Sequence, residues 1–208
     1  MLAEKKTDNN FIKSLHIQNF RNHEFLEITT KKPSIVIYGK NGVGKTSILE
    51  AISTFSYGKG IRNSKLLEMV KVNEETFCIS ITLQVEDNIF SELKSTFSKS
   101  ATGRRLYVNG KEKKKLAQLR KSFPMLWITP YDEKIFTGSA SSRRNFLDRL
   151  IYNFDSTHSQ RINNYNKLLL QRSKVLKNKI EDIVWLETIE DQLAKLAVAI
   201  CSTRLDIV

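Results

Sequence analysis

The stretch YGKNGVGKTSILEAI, Tyr38 to Ile52, carries three glycines within six residues, then a lysine, a threonine and an apolar helical pattern. Gly39-Lys40-Asn41-Gly42-Val43-Gly44-Lys45-Thr46 fits G-x-x-x-x-G-K-[ST] at every position. The chemistry accounts for each. Several backbone N–H groups can converge on a phosphate chain only if the loop turns sharply and lacks Cβ atoms where the chain comes closest. The three glycines meet that need, and a helix starting just after them directs its positive end at the phosphates. In this pattern Lys45 reaches the β- and γ-phosphates and Thr46 offers its hydroxyl to Mg²⁺. A chance match is expected in on the order of one chain in a hundred of this length.

The flanks supply the context the motif demands. Pro33 opens the continuous apolar run SIVIY (Ser34–Tyr38), which reads as a buried strand. Ile48, Leu49, Ile52 and Phe55 recur at helical spacing behind the loop. The glycine order G-x-x-G-x-G is not the dinucleotide fingerprint, so NAD is disfavoured. NKLL (Asn166–Leu169) lacks the aspartate of a guanine-reading motif, so ATP is preferred over GTP. A hydrolysing P-loop enzyme also needs an acid at the end of a second buried strand. The nearest approach is LWITPYDE (Leu126–Glu133), where Pro130 separates the strand from Asp132 and Glu133.

Further out, Ile12, Leu15 and Ile17 suggest a strand returning through FLEI (Phe25–Ile28), and FCISITLQVED (Phe77–Asp87) alternates like a half-buried strand. Asn109-Gly110 between two extended arms marks a hairpin, because both residues accept positive φ. MLWIT (Met125–Thr129) reads as another apolar strand. From Ser139 the spacing becomes helical, through Phe146, Leu150, Ile162, Leu169, Leu176, Ile189 and Ile200, with a break expected near Trp185. Tyr165 and Trp185 lie in the apolar stripe and read as core rather than base-stacking residues. The expected organisation is a sheet-rich lobe, 1–138, and a helical lobe, 139–208, in the α/β class.

The 208 residues include 34 Lys+Arg against 22 Asp+Glu, a net charge of +12. That excess favours a polyanionic partner, nucleic acid or an acidic surface. Two distant cysteines, Cys78 and Cys201, form no CxxC pair and suit a reducing cytosol. No apolar run reaches membrane-spanning length, and the polar start carries no signal-peptide core.

LHIQNFRNHE (Leu15–Glu24), the glycine-rich loop, GKGIRNSK (Gly58–Lys65), LYVNGK, ITPYDEKIFTGSASSRRNFLDRLI (Ile128–Ile151) and YNKLLLQRSKVLK (Tyr165–Lys177) run in order along the chain. Together they resemble the RecF family of bacterial recombination and repair ATPases, related to SMC and ABC-type heads. The resemblance implies a P-loop NTPase head of the ABC/SMC type, an ATP-binding lobe followed by a helical lobe. It implies ATP and Mg²⁺, an ATP-dependent homodimer, binding of single-stranded or gapped DNA, and work with RecO and RecR. Replication and recombinational repair, the SOS response and a cytoplasmic site come with it. Two departures stand out. Ala140 follows Gly138-Ser139 where the family favours proline, although Ser139 still suits a helix cap. The family's signature motif and Walker B aspartates do not occur before Val208, so the chain is expected to be the N-terminal part of such a head.

Arg21 and Asn22 after the first strand, Arg62 in the post-helix segment and Arg143 at a helix start are candidates for nucleotide or dimer contacts. A turn with a solvated arginine is the other reading of Arg21-Asn22, and an ion pair with Asp148 the other reading of Arg144. Arg104, Arg105, Lys111, Lys113, Lys114 and Lys115 around the Asn-Gly turn are candidate DNA phosphate contacts, or lysines that guard an edge hairpin. A small P-loop phosphotransferase and a non-hydrolysing nucleotide-binding head are the alternative functions.

Overall fold

The computed structural model describes residues 11–56, 60–86, 89–101, 103–113, 124–135, 137–155, 157–177 and 183–207. Two compact units emerge, Met1–Trp127 and Ile128–Val208. The division therefore precedes the expected boundary near Gly138.

The first unit is built on one antiparallel sheet. Strands β1 (Phe11–Phe20), β2 (His23–Thr29), β3 (Thr76–Glu86), β4 (Ile89–Ser98), β5 (Arg104–Val108) and β6 (Lys111–Glu112) lie in the order β2-β1-β3-β4-β5-β6. The period-two pattern decides which face is buried. Leu15 and Ile17 of β1 share the inner face with Phe77, Ile79, Ile81 and Leu83 of β3, all at most 4% exposed. Cys78, Ser80 and Thr82 alternate with them on the opposite face. Helix α1 (Lys45–Ser53) covers the inner face, adding Ile48 and Ala51 to the same core, with Phe55 just past its end. Phe77 stacks on Phe97 at 5.6 Å and meets Phe20 edge-on at 5.3 Å. Each such fully buried aliphatic or aromatic side chain contributes roughly 1.5–3 kcal/mol. A short helix, α2 (Leu66–Met69), completes the unit and buries Met69.

The hairpins turn as their residues allow. Asn109 (φ 49) and Gly110 (φ 74) join β5 to β6, as the Asn-Gly pair predicts. Strand β4 has no counterpart in the sequence reading. Its alternation is masked because the inward position between Leu93 and Phe97 is the buried hydroxyl of Ser95.

Two expected strands are not in the sheet. Ser34–Tyr38 is irregular, with Val36 84% and Tyr38 89% exposed. Residues 125–129 are irregular as well, although Met125 packs against the core. A continuous apolar run marks a segment suited to burial but does not supply a hydrogen-bonding neighbour, and neither segment pairs with a strand among the described residues.

The second unit holds a 3-10 helix (Pro130–Ile135) and helices α3 (Ala140–Ile151), α4 (His158–Lys177) and α5 (Ile183–Leu205). Ser139 caps α3, its hydroxyl accepting from the Ser142 N–H at 3.2 Å. Val175, Ile189 and Leu193 form the α4–α5 core, with Tyr165 packed against it as expected. Helix α4 ends at Lys177 and α5 starts at Ile183, two residues before Trp185, so the break falls near Trp185 as expected, but Trp185 itself is 48% exposed and not in the core. Asp148 is held by His158 and Arg204 rather than by Arg144.

Candidate functional site

The glycine-rich loop runs between the exposed segment at Tyr38 and the first turn of α1. Gly44 is the N-cap of α1, at φ 99, a backbone region that side chains rarely adopt. A side chain there would also displace its neighbours. A Cβ on Gly44 would lie 2.6 and 2.7 Å from the amide atoms of Asn22 and would also overlap His23 Nε2. Gly42, at φ 86, is required by conformation alone, since a Cβ there meets nothing within 4 Å.

No side chain caps α1 and no acid sits in its first turn. Its leading N–H groups and the positive end of its dipole are thus left to an external anion. Lys45 bends back over the loop, its Nζ donating to the carbonyls of Gly39 at 2.8 Å and Lys40 at 2.7 Å. Backbone donors, helix dipole and ammonium therefore converge on one concavity, lined by Asn41, while Val43 is exposed on the loop. The exposed Thr46 hydroxyl stands at its rim, where it fits as one oxygen ligand of a phosphate-bound Mg²⁺.

The β1–β2 turn braces this loop. His23 Nε2–H donates to Gly44 O at 3.1 Å, and the Asn22 amide reaches Gly42 O at 3.5 Å. Asn22 was singled out from the sequence, whereas His23 was not. Its only signal is its place beside Asn22 in a strand–turn–strand segment.

Behind the loop lies a charge cluster. Glu50, on α1 one turn after Thr46, has a fully buried side chain. Arg21 clasps both its oxygens, Nε to Oε2 at 2.9 Å and Nη2 to Oε1 at 2.6 Å. Arg21 also donates to Ser64 Oγ and to the Glu68 carbonyl, both at 2.6 Å. This arginine is a built-in structural clamp, not a solvated turn residue. Its own φ of 54 is unfavourable and is held in place by these bonds and by its N–H to Met69 O at 2.7 Å. Arg62 makes a single longer bond to Glu50 Oε2, 3.2 Å. Glu50 escaped the sequence reading because a glutamate in a helix ordinarily faces water. The small Ser47, Ala51, Ser53 and Thr54, at or next to helical spacing from it, are buried with it and were the available clue.

A cavity of about 660 Å³ opens from the loop across this cluster to Val72. Arg21, Lys45, Arg62 and Lys71 line it against the single acid Glu68. Arg21 and Arg62 share Glu50 and Lys71 pairs with Glu24 at 2.9 Å, so the wall keeps a small positive excess, centred on Lys45, that suits an anion.

The remaining candidates fall elsewhere. Arg143 belongs to the second unit, is exposed, and donates to Gly138 O at 3.0 Å. In the hairpin, Arg104 is a correction. It points inward, donating to Ser95 Oγ and Thr54 O at 2.7 Å each, and lies 5.6 Å from the Phe55 ring centre. Burial lowers its guanidinium pKa to about 10. It is not presented to a phosphate backbone. Arg105 and Lys111 are exposed and Lys113 is half-buried, while Lys114 and Lys115 lie outside the described residues.

Asp132 does not resemble a metal-binding acid. Its carboxylate accepts from the Thr129 N–H and hydroxyl at 2.8 Å each and from Arg149 at 2.6 Å. Burial pushes its pKa up, but those hydrogen bonds and the Arg149 charge outweigh it and hold it below the usual range. Among the described residues no group of three or more His, Cys, Asp and Glu side chains gathers as a metal site. No described helix is long and apolar enough to cross a membrane.

A family profile described as an AAA domain matches residues 14–200. The DNA replication and repair protein RecF of Rickettsia felis is 39% identical over 197 residues, covering 95% of this chain and 54% of the relative. The RecF of Rickettsia prowazekii is 41% identical over the same shares. A solved structure of the recombination mediator protein RecF with ATPrS, in the RecFOR pathway, superposes with a TM-score of 0.87 at 28% identity. It is matched over 96% of this chain and 54% of that one. A RecF–ATP structure gives 0.85 at 27% identity, over 99% and 56%. The chain thus spans about half the length of the relatives it matches.

Proposed function

As the chain belongs to the AAA domain family and is RecF-like along nearly its whole length, we propose that it is the nucleotide-binding part of a DNA replication and repair ATPase. ATP binds at Gly39–Thr46. The backbone N–H groups of the loop and the N-terminus of α1 cradle the phosphates, Lys45 neutralises them, and Thr46 completes the shell of Mg²⁺. Bound Mg²⁺ screens charge between the phosphates; holding and orienting the nucleotide falls to the chain's own residues. The observation that carries this reading is the loop itself. Gly44 is packed against Asn22 and His23, α1 is left uncapped, and Lys45 is folded over the same concavity.

The wider reading draws on the relatives. The whole protein binds single-stranded or gapped DNA in the cytoplasm, pairs with a second copy when ATP is bound, and works with RecO and RecR in recombinational repair and the SOS response. The net charge of +12 and the exposed Arg105 and Lys111 favour a DNA partner. Turnover needs a second acid near the phosphates, and the carboxylates of Asp132 and Glu50 are both committed to arginines. That commitment favours a second reading for this chain taken alone, a head that binds nucleotide without hydrolysing it.

The test is binding of a fluorescent ATP analogue with Mg²⁺. The chain binds it, and Lys45→Ala removes binding while the circular dichroism spectrum stays unchanged, because Lys45 bonds only to exposed loop carbonyls. Undiminished affinity in the folded variant defeats the assignment.

A further inference from the structure

A second cavity, of about 570 Å³, opens beside α2 and shares no described lining residue with the cavity at the glycine-rich loop. Leu66, Leu67, Met69 and Phe97 make its wall apolar. Its charged lining is basic throughout: Lys65, Lys99 and Arg104, with no acid among the described residues. Lys99 reaches Glu75 at 3.6 Å, at the cavity's outer side. Arg104 pairs with no carboxylate among the described residues. Its guanidinium uses three of its five N–H donors, all on neutral acceptors: Ser95 Oγ and Thr54 O at 2.7 Å each, and Thr54 Oγ1 at 3.4 Å. Two N–H groups are left over. Burial lowers the pKa of this arginine to about 10, the mark of a cation that has lost water without gaining a counter-ion. An anion brought to such a charge is held more strongly than one at an exposed lysine. The volume lies in the ~300–1,000 Å³ range of small-molecule sites, and an apolar wall with one placed charge is their usual make-up.

We propose that this cavity binds a small amphipathic anion, a molecule with an apolar body and one carboxylate, and that Arg104 is its counter-ion. The body packs on Leu67 and Phe97, and the carboxylate accepts the N–H groups that Thr54 and Ser95 leave open. Exposed Lys65 adds attraction without a fixed bond. A cavity of this size admits one anionic group and not a polymer backbone. The site goes beyond the nucleotide-binding reading and does not depend on it.

The chain has three methionines, Met1, Met69 and Met125, and only Met69 lines the cavity. Isotope labelling of the methionine methyls therefore gives a local reporter, its signal assigned with Met69→Leu. The probes are decanoate and anilinonaphthalene sulfonate, each titrated into the whole chain. Both are expected to shift the Met69 signal saturably and to leave Met125 in place. Decanol, with the same apolar body and no charge, binds at least tenfold more weakly, as the loss of a charge-assisted hydrogen bond requires. Leu67→Glu places a like charge on the wall and weakens decanoate at least tenfold. Leu67 is 58% exposed, so this variant keeps the fold, which circular dichroism checks. Arg104→Lys retains a charge without the fork and loses part of the affinity. A silent Met69 with both probes overturns the proposal. So does equal affinity for decanoate and decanol, which makes the cavity merely apolar. An acidic leucine-containing peptide that shifts Met69 where decanoate does not also overturns it, since the occupant is then a segment of a partner protein. Should Arg104→Lys fail to fold, the decanol comparison and Leu67→Glu decide.

Discussion

His23 Nε2 and the carbonyl of Gly44 are 3.1 Å apart, joining the β1–β2 turn to the last residue before α1. This bond fixes the glycine-rich loop from outside the motif. His23→Ala removes it and is expected to cost about 1 kcal/mol in stability. ATP affinity should fall severalfold, because the loop loses preorganisation. Gly44→Ala is the harsher change, since the new methyl group collides with Asn22 and His23 and sits at φ 99. The pair is read by urea unfolding and nucleotide titration. A Gly44→Ala chain with full affinity would show that the brace has no bearing on binding.

Arg104 and Arg105 are neighbours with opposite fates. Arg104→Ala strands the Thr54 carbonyl and the Ser95 hydroxyl and leaves a gap over Phe55. It is expected to destabilise the first unit by about 2–4 kcal/mol. Arg105→Glu with Lys111→Glu touches only exposed positions, so stability holds while DNA affinity drops and the salt slope shrinks by about two. Fluorescence anisotropy with a gapped duplex across a salt series checks this. An unchanged slope would remove the hairpin from the DNA-binding surface.

The same pair explains what the sequence disclosed and what it concealed. The glycine-rich loop was legible because its chemistry is contiguous, with each residue type dictated by one ligand at one spacing. Arg104 was not, because clustering with Arg105 and the lysines suggested a basic patch. Its period-two partners Leu106 and Val108 place it on the inner face, and Phe97 lies opposite in the register. Glu50 was concealed in the same way, as a charge on the buried side of a helix among small residues. Its partners Arg21 and Arg62 are 29 and 12 residues distant. Ser34–Tyr38 failed for a different reason. Composition reports how apolar a segment is, but a strand also needs a neighbour to pair with.

In the second unit Asp148 is the counterpart of Glu50. It is 5% exposed, accepts from His158 Nε2 at 2.9 Å and is forked by Arg204 at 2.9 and 2.8 Å. Asp148→Ala leaves the fully buried His158 and the Arg204 guanidinium without their common acceptor. A loss of about 3–5 kcal/mol is expected. Asp148→Asn, which keeps an acceptor oxygen but not the charge, should cost less. Thermal unfolding of both variants checks the order. Equal stability of Asp148→Ala and wild type would mean the triad has no structural weight.

Acid should loosen this unit at a defined place. Burial raises the Asp155 pKa, but hydrogen bonds from the Thr157 hydroxyl and N–H and the Arg161 ion pair outweigh it and bring it to about 2. Because the folded value lies below the unfolded one near 3.8, the folded state binds fewer protons across that interval. The stabilisation is therefore complete above about pH 4 and is lost as pH falls through about 2. Asp132, lowered by Thr129 and Arg149, acts in the same direction. With Asp155 and Arg161 about a quarter to a third exposed, screening reduces the contribution of that pair to on the order of 1 kcal/mol. Asp155→Asn should lower stability by that amount at pH 7 and flatten its fall between pH 4 and 2. Urea midpoints measured every half pH unit decide it, and parallel curves for variant and wild type would rule out Asp155 as the titrating group.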